Sequence, residues 1–180
     1  MKHRTSSPSP RLRPAVRGLI IDNTNSVLMV KLVFPHGVWW VMPGGGIEEN
    51  EDLHTALQRE LAEEVGLSEF EAEGVLWLRD HHFDMSSTDG VQWDGQSETV
   101  FVVRTERFTP SPLMTQAELH AENLHAHQWW SIDEMKAYSE CDNFSPPDIA
   151  VRLHQFVSSE SWTPLHIVQH NDCIVSEHPL

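Results

Sequence analysis

The chain has 180 residues, with 12 Lys and Arg against 27 Asp and Glu, a formal net charge of −15. That length suits one domain with tails, and so acidic a chain lacks the basic surface that releases counterions from a nucleic-acid polymer. Its longest apolar runs, such as Gly18 to Ile21 and Val27 to Val30, fall far below the roughly 20 residues of a membrane-spanning helix, so no membrane partner is expected. Residues 1–14 are rich in Ser and Pro and hold Lys2, Arg4, Arg11 and Arg13 with no apolar segment. They read as a flexible basic arm, or one that docks on the acidic body. Ala15 to Ile21 and Val27 to Val33 are apolar and β-branched, joined by Asp22-Asn23-Thr24-Asn25-Ser26, which predicts a hairpin. A second turn at Phe34-Pro35-His36-Gly37 leads into Val38 to Met42. The adjacent Trp39 and Trp40 there face opposite ways on a strand, leaving core packing and ligand stacking both open.

Pro43 to Leu67 reads PGGGIEENEDLHTALQRELAEEVGL, a glycine turn feeding an acid-rich first helical turn. The backbone of Gly44, Gly45 and Gly46 can approach phosphates or metal because no Cβ intervenes. On a helical wheel Leu53, Ala56 and Leu57 form an apolar stripe. Glu60, Glu63 and Glu64 follow each of them seven residues later, nearly eclipsed with ~20° of drift. A solvated charge run lies opposite the apolar stripe, whereas these acids share its side. Three like charges at i, i+3 and i+4 repel one another unless a cation intervenes. Oxygen-only ligands favour Mg²⁺, with Mn²⁺ possible, either of which takes a substrate phosphate as a further ligand.

Beyond this helix, Phe70 to Phe83 reads as a long strand and Asp84 to Gly95 as a polar loop. Trp93 in that loop either caps the core or lies over a substrate ring. Glu98 to Phe108 is another strand, with Val100 and Val102 on one side and Phe101 and Val103 on the other. Thr109 to Leu124 carries Glu118, His120 and Glu122 in a short helix or ordered loop. His125 to Trp130 is a strand, and Ser131 caps a helix over Ile132 to Tyr138 with Glu134 at its third position. Ile149 to Val157 is the last core helix, with Ile149, Leu153 and Phe156 at core spacing. One domain is therefore expected over residues 15–157, with 158–180 a tail of unassigned structure. His120, His125 and His127 show no zinc-type spacing. Cys141 and Cys173 show neither metal-type nor redox-type spacing, which suggests a reducing cytoplasm.

Gly45, then Glu51, then Arg59-Glu60-Leu61-Ala62-Glu63-Glu64-Val65-Gly66-Leu67, with five and seven residues in the gaps, resembles the signature of the Nudix hydrolases at every fixed position. The resemblance implies an α/β fold, an α/β/α sandwich with a mixed central sheet, and Mg²⁺-dependent hydrolysis of a diphosphate linked to another group. By resemblance Glu60, Glu63 and Glu64 are metal ligands, while Arg59 and Glu51 hold the loop–helix geometry. Gln96-Ser97-Glu98 resembles the position from which such enzymes send a further carboxylate to the metal, and a catalytic glutamate before the final strand would be Glu118 or Glu122. The general base is expected at Glu63 or Glu64, with Glu98 behind them. The expected partner is a small phosphorylated substrate, and family members are commonly dimers. A module that binds nucleotide without cleaving it, and an isoprenoid diphosphate isomerase, are the rival readings. The intact carboxylates oppose the first, and the remoteness of both cysteines from the box opposes the second.

Overall fold

A computed structural model of the chain describes residues 9–86 and 90–180. Among these, nine strands form one mixed sheet. Strand β1 (Arg13–Ile21) meets β2 (Val27–Phe34) through the turn Asp22–Ser26, with Ile21 opposite Val27, and β2 pairs antiparallel with β3 (Gly37–Val41). Helix α1 (Leu53–Val65) follows the glycine loop, then β4 (Ala72–Ser86) and β5 (Gln92–Arg104), an antiparallel pair whose β5 runs parallel to β1. The rest comprises α2 (Gln116–Ala121), β6 (Leu124–Trp130), α3 (Ile132–Ala137), β7 (Asn143–Ser145), α4 (Ile149–Val157), β8 (Leu165–His170) and β9 (Cys173–Pro179).

Both faces of the central strands are buried, and strand alternation decides which side chain goes where. Val16 and Ile20 of β1 and Phe101 and Val103 of β5 pack with Ala56, Leu57, Leu61 and Val65 of α1. Their neighbours Leu19, Ile21, Val100 and Val102 join Met135 of α3 and Ile149, Leu153 and Phe156 of α4 on the other side. The result is the expected three-layer α/β arrangement. Helix α1 starts where the Asp52 carboxylate accepts the Thr55 N–H at 2.8 Å, and stops at Gly66, whose φ of 77° is left-handed.

Three expectations change. The basic arm is shorter than composition suggested: β1 already begins at Arg13, which pairs with Gln96, and Arg11 exchanges hydrogen bonds with Asp94 at 2.7 and 2.8 Å. Residues 1–8 lie outside the described residues. Within the polar stretch 84–95, β4 and β5 stay paired as far as residues 86 and 92, with Met85 opposite Trp93, where a loop was expected; residues 87–89 lie outside the described residues. Backbone pairing at solvated strand ends tolerates polar side chains, so composition misled there. The tail also folds: β8 pairs parallel with β4, β9 pairs antiparallel with β8, and Ile167 is fully buried in the α4-side core. The domain therefore extends beyond residue 157. The short Leu165 to Val168 alternation with a histidine inside it gave too weak a strand signal.

Candidate active site

The glycine loop is stitched to β1 along its length. Val16 N–H donates to Gly45 O at 2.9 Å, Gly18 N–H to Pro43 O at 2.9 Å and Ile47 N–H to Pro14 O at 3.2 Å. Gly44 has a φ of 129°, and a Cβ there would collide with the Val16 carbonyl; only glycine fits. A Cβ on Gly45 would lie 2.7 Å from both carboxylate oxygens of Glu60. The loop backbone thus rests directly on the acidic face of α1.

Arg59 is the hub of that face. Its Nε and Nη2 grip Glu51 at 2.9 and 2.8 Å, Nη2 also donates to Gly46 O at 2.9 Å, and Nη1 reaches Glu60 at 2.9 Å and Glu63 at 3.2 Å. These partners hold the guanidinium pKa above its ordinary value, and the hydrogen bonds from Arg59 lower that of Glu51. Glu64 is 5% exposed and accepts the Gly44 N–H at 2.8 Å. Burial pushes its carboxyl up to about 8, against the opposing field of Arg17. Burial likewise raises Glu60. Two buried carboxyls resisting ionisation beside a third is the electrostatic signature of a place that favours a cation.

Of the two loop glutamates, Glu118 closes a capping box with Thr115 at 2.7 Å. Glu122, at the end of α2, stands near the cluster instead: burial and then Glu63 raise its pKa, and its own charge raises Glu60 and Glu64. Among the described residues no three Asp, Glu, His or Cys side chains already converge as a cage; Arg59 Nη1 bridges Glu60 and Glu63. The donor set, all carboxylate oxygen, fits Mg²⁺ or Mn²⁺.

Two further expected site residues, Glu98 and Trp93, have partners within the protein. Glu98 shares a face of β5 with Val100 and Val102, away from α1, and its two oxygens accept from Arg17 Nε at 3.1 Å and Arg79 Nε at 2.6 Å. Burial raises its pKa, but the charges of Arg79 and Arg17 carry it down to about 2. Both oxygens are engaged, so in this structure Glu98, expected as a further metal ligand and base, is a buried ion-pair partner. Trp93 is half-buried under Arg11, whose guanidinium carbon lies 4.4 Å from the ring centre. The tandem tryptophans are packing residues: Trp40 stacks edge-on against Trp130 at 5.2 Å, and Trp39 against Phe34 at 5.9 Å.

Sequence reasoning missed Arg13 and Arg17. The guanidinium of Arg13 lies against Gly46. Arg17 is buried on the α4-side face and donates to Met42 O at 3.2 Å and to Gly44 O. A lone arginine in the apolar run Ala15 to Ile21 was the available signal, since a buried charge demands partners.

A family model, the NUDIX domain, matches residues 11–148. Nudix hydrolase 25 of Arabidopsis thaliana is 30% identical over 133 residues, 69% of this chain and 75% of that protein. An RNA pyrophosphohydrolase of Helicobacter pylori strain G27 is 33% identical over 131 residues, covering 69% of this chain and 81% of its own. In fold, the chain resembles an ADP-ribose pyrophosphatase from Streptococcus suis, with a TM-score of 0.56 at 16% identity, covering 90% of this chain and 99% of that one. It also resembles a MutT protein from Bacillus halodurans, with a TM-score of 0.55 at 16% identity and coverages of 93% and 97%. Glycine loop, acid-faced helix, three-layer sheet and a family match over most of the chain agree: the chain belongs to the Nudix hydrolases, enzymes that act on phosphorus-containing acid anhydrides.

Proposed function

We propose that this chain hydrolyses the P–O–P bridge of a small nucleoside diphosphate-linked molecule, with Mg²⁺, or Mn²⁺ in its place, held by Glu60, Glu63 and Glu64. The observation that carries this reading is the contact of Gly45 with the Glu60 carboxylate, which leaves backbone and acids facing one space. Nudix hydrolases generally use divalent ions such as Mg²⁺; when bound, such an ion neutralises the diphosphate and acidifies the attacking water. Arg59 orients Glu51, Glu60 and Glu63 and ties them to Gly46. Glu63, whose side chain is 31% exposed, meets water and is assigned the proton, with Glu122 nearby. Arg13, whose guanidinium lies against Gly46 and acts on the Glu122 charge, is positioned to meet a phosphate there. The exposed, unpaired Cys141 and Cys173 suit a reducing cytoplasm, and we assign the chain there.

The test is phosphate or nucleotide release from ADP-ribose, nucleoside triphosphates, dinucleoside polyphosphates and nucleotide sugars with Mg²⁺. Glu63→Gln and Glu64→Gln should each lower turnover on the order of 10²-fold, as loss of a preorganised charge does. Near-wild-type turnover in both variants would remove the carboxylate cluster from the mechanism. The Helicobacter pylori relative named as an RNA pyrophosphohydrolase supports a second reading, a 5′-triphosphate RNA end. Turnover confined to that substrate would replace the small-molecule reading.

A further inference from the structure

Glu98 lies on the face of the sheet opposite α1, yet its contacts lead back to the glycine loop. The side chains of Arg17, Arg79 and Glu98 are 11%, 3% and 2% exposed, and one carboxylate joins the two guanidinium groups. On the far side Arg79 Nη1 donates to Ser145 Oγ of β7 at 3.0 Å and to Gln169 Oε1 of β8 at 3.3 Å. Gln169 Nε2 in turn donates to Asn171 O in the β8–β9 turn. On the near side Arg17 donates to the carbonyls of Met42 and Gly44. Gly44 is therefore gripped on both its flanking peptides: its carbonyl by Arg17 from beneath the sheet, and its N–H by Glu64 from α1 at 2.8 Å.

We propose that Glu98 is a positioning residue, which holds Arg17 against Arg79 and thereby sets Gly44 against Glu64, so that the C-terminal hairpin supports the active-site loop. Without the carboxylate, two guanidinium groups share a water-excluded space, and an unpaired buried charge moves or draws in water rather than staying in place. Arg17 keeps Gln96 at 3.5 Å and the fields of Glu64 and Glu60 but loses its paired carboxylate, so its hold on Gly44 loosens. Loss of Gln169 acts more mildly, since Arg79 keeps Ser145 and Glu98. The loop's use in catalysis rests on the proposed function, but its positioning can be measured without substrate.

Hydrogen exchange read by mass spectrometry on the full chain tests this, comparing the loop peptide 43–47 with α4, residues 149–157, as an internal reference. In Glu98→Gln, exchange of the loop peptide should rise at least tenfold beyond any rise in α4. In Gln169→Ala it should rise about threefold with α4 unchanged. A purely structural role for Glu98 would raise loop and α4 exchange together, and that outcome, or a loop exchanging at the wild-type rate, would overturn the proposal. Should Glu98→Gln not fold, Gln169→Ala decides: selective loop opening supports the chain of contacts, and its absence refutes it. Because no turnover is read, failure here is distinct from failure of the hydrolase reading.

Discussion

Adjacent glycines in the loop should respond to the same substitution in opposite ways. Gly45→Ala puts a methyl group 2.7 Å from both oxygens of Glu60, where ordinary contact begins at 3.4 Å. The backbone has no obstacle, so the carboxylate yields, and its 2.9 Å bond to Arg59 is lost or lengthened. A charged hydrogen bond in a partly exposed setting is worth about 1 kcal/mol, which lowers Tm by roughly 2–4 °C in a chain this long. Displacing a catalytic-site group by a fraction of an ångström should nevertheless cost on the order of 10²-fold in turnover. Gly44→Ala meets the backbone carbonyl of Val16 at a φ of 129°. Here nothing flexible can yield, and strain on the order of 3 kcal/mol should lower Tm by roughly 6–12 °C. Thermal melts and phosphate release on both variants check the pair. Gly45→Ala turning over at the wild-type rate, or melting lower than Gly44→Ala, would refute the contact between loop and Glu60.

Millimolar Mg²⁺ should raise the melting temperature, because cation binding to the native carboxylates stabilises by mass action: at ten times Kd the gain is about 1.4 kcal/mol, roughly 3–5 °C. A melt insensitive to Mg²⁺ and to chelator would count against a shared site. His81 is driven down to about 4 by burial and then by Arg79. Its folded pKa lies below its unfolded value, so its stabilising contribution is complete above about pH 6.5 and is lost as pH falls toward 4. Urea melts of His81→Gln should accordingly show a shallower loss of stability over that window, and an unchanged slope would rule out this histidine as its source. Trp93→Ala removes a half-buried ring and its cation–π contact, about 1–2 kcal/mol. Tm should fall with the Michaelis constants unchanged; a raised Michaelis constant at constant Tm would restore the ring to the substrate.

The helices and the central strands were legible because their signals are local. Asp52, Ser131 and Gly66 sit at the helix ends with side chains or backbone angles that only a terminus uses, and α4 spans the residues its apolar spacing marks. The β8–β9 hairpin was not, because its stability comes from strands far away in sequence. Ile167 is an ordinary residue until β4 and α4 bury it. The same holds for the β4–β5 extension, where register imposed from the core carries polar residues into pairing.

The candidate site divides along the same line. Glu60, Glu63, Glu64 and Arg59 occur on one helix, where a wheel fixes their relations. Glu98 was assigned by resemblance of its position, although the alternation that separates Val100 and Val102 from Phe101 and Val103 already places it opposite α1. Applied to Arg17, with Leu19 and Ile21 on its face, that alternation puts a positive and a negative charge on the same buried side of adjacent strands. Two such charges in a low-dielectric layer must find each other or be expelled. Their pairing across β1 and β5 was therefore within reach of strand parity alone. What parity could not supply is Arg79, which a bulge between Val75 and Trp77 brings into line. Nor could it supply the carbonyl of Gly44, which turns toward Arg17 only because the glycine backbone takes a conformation closed to other residues.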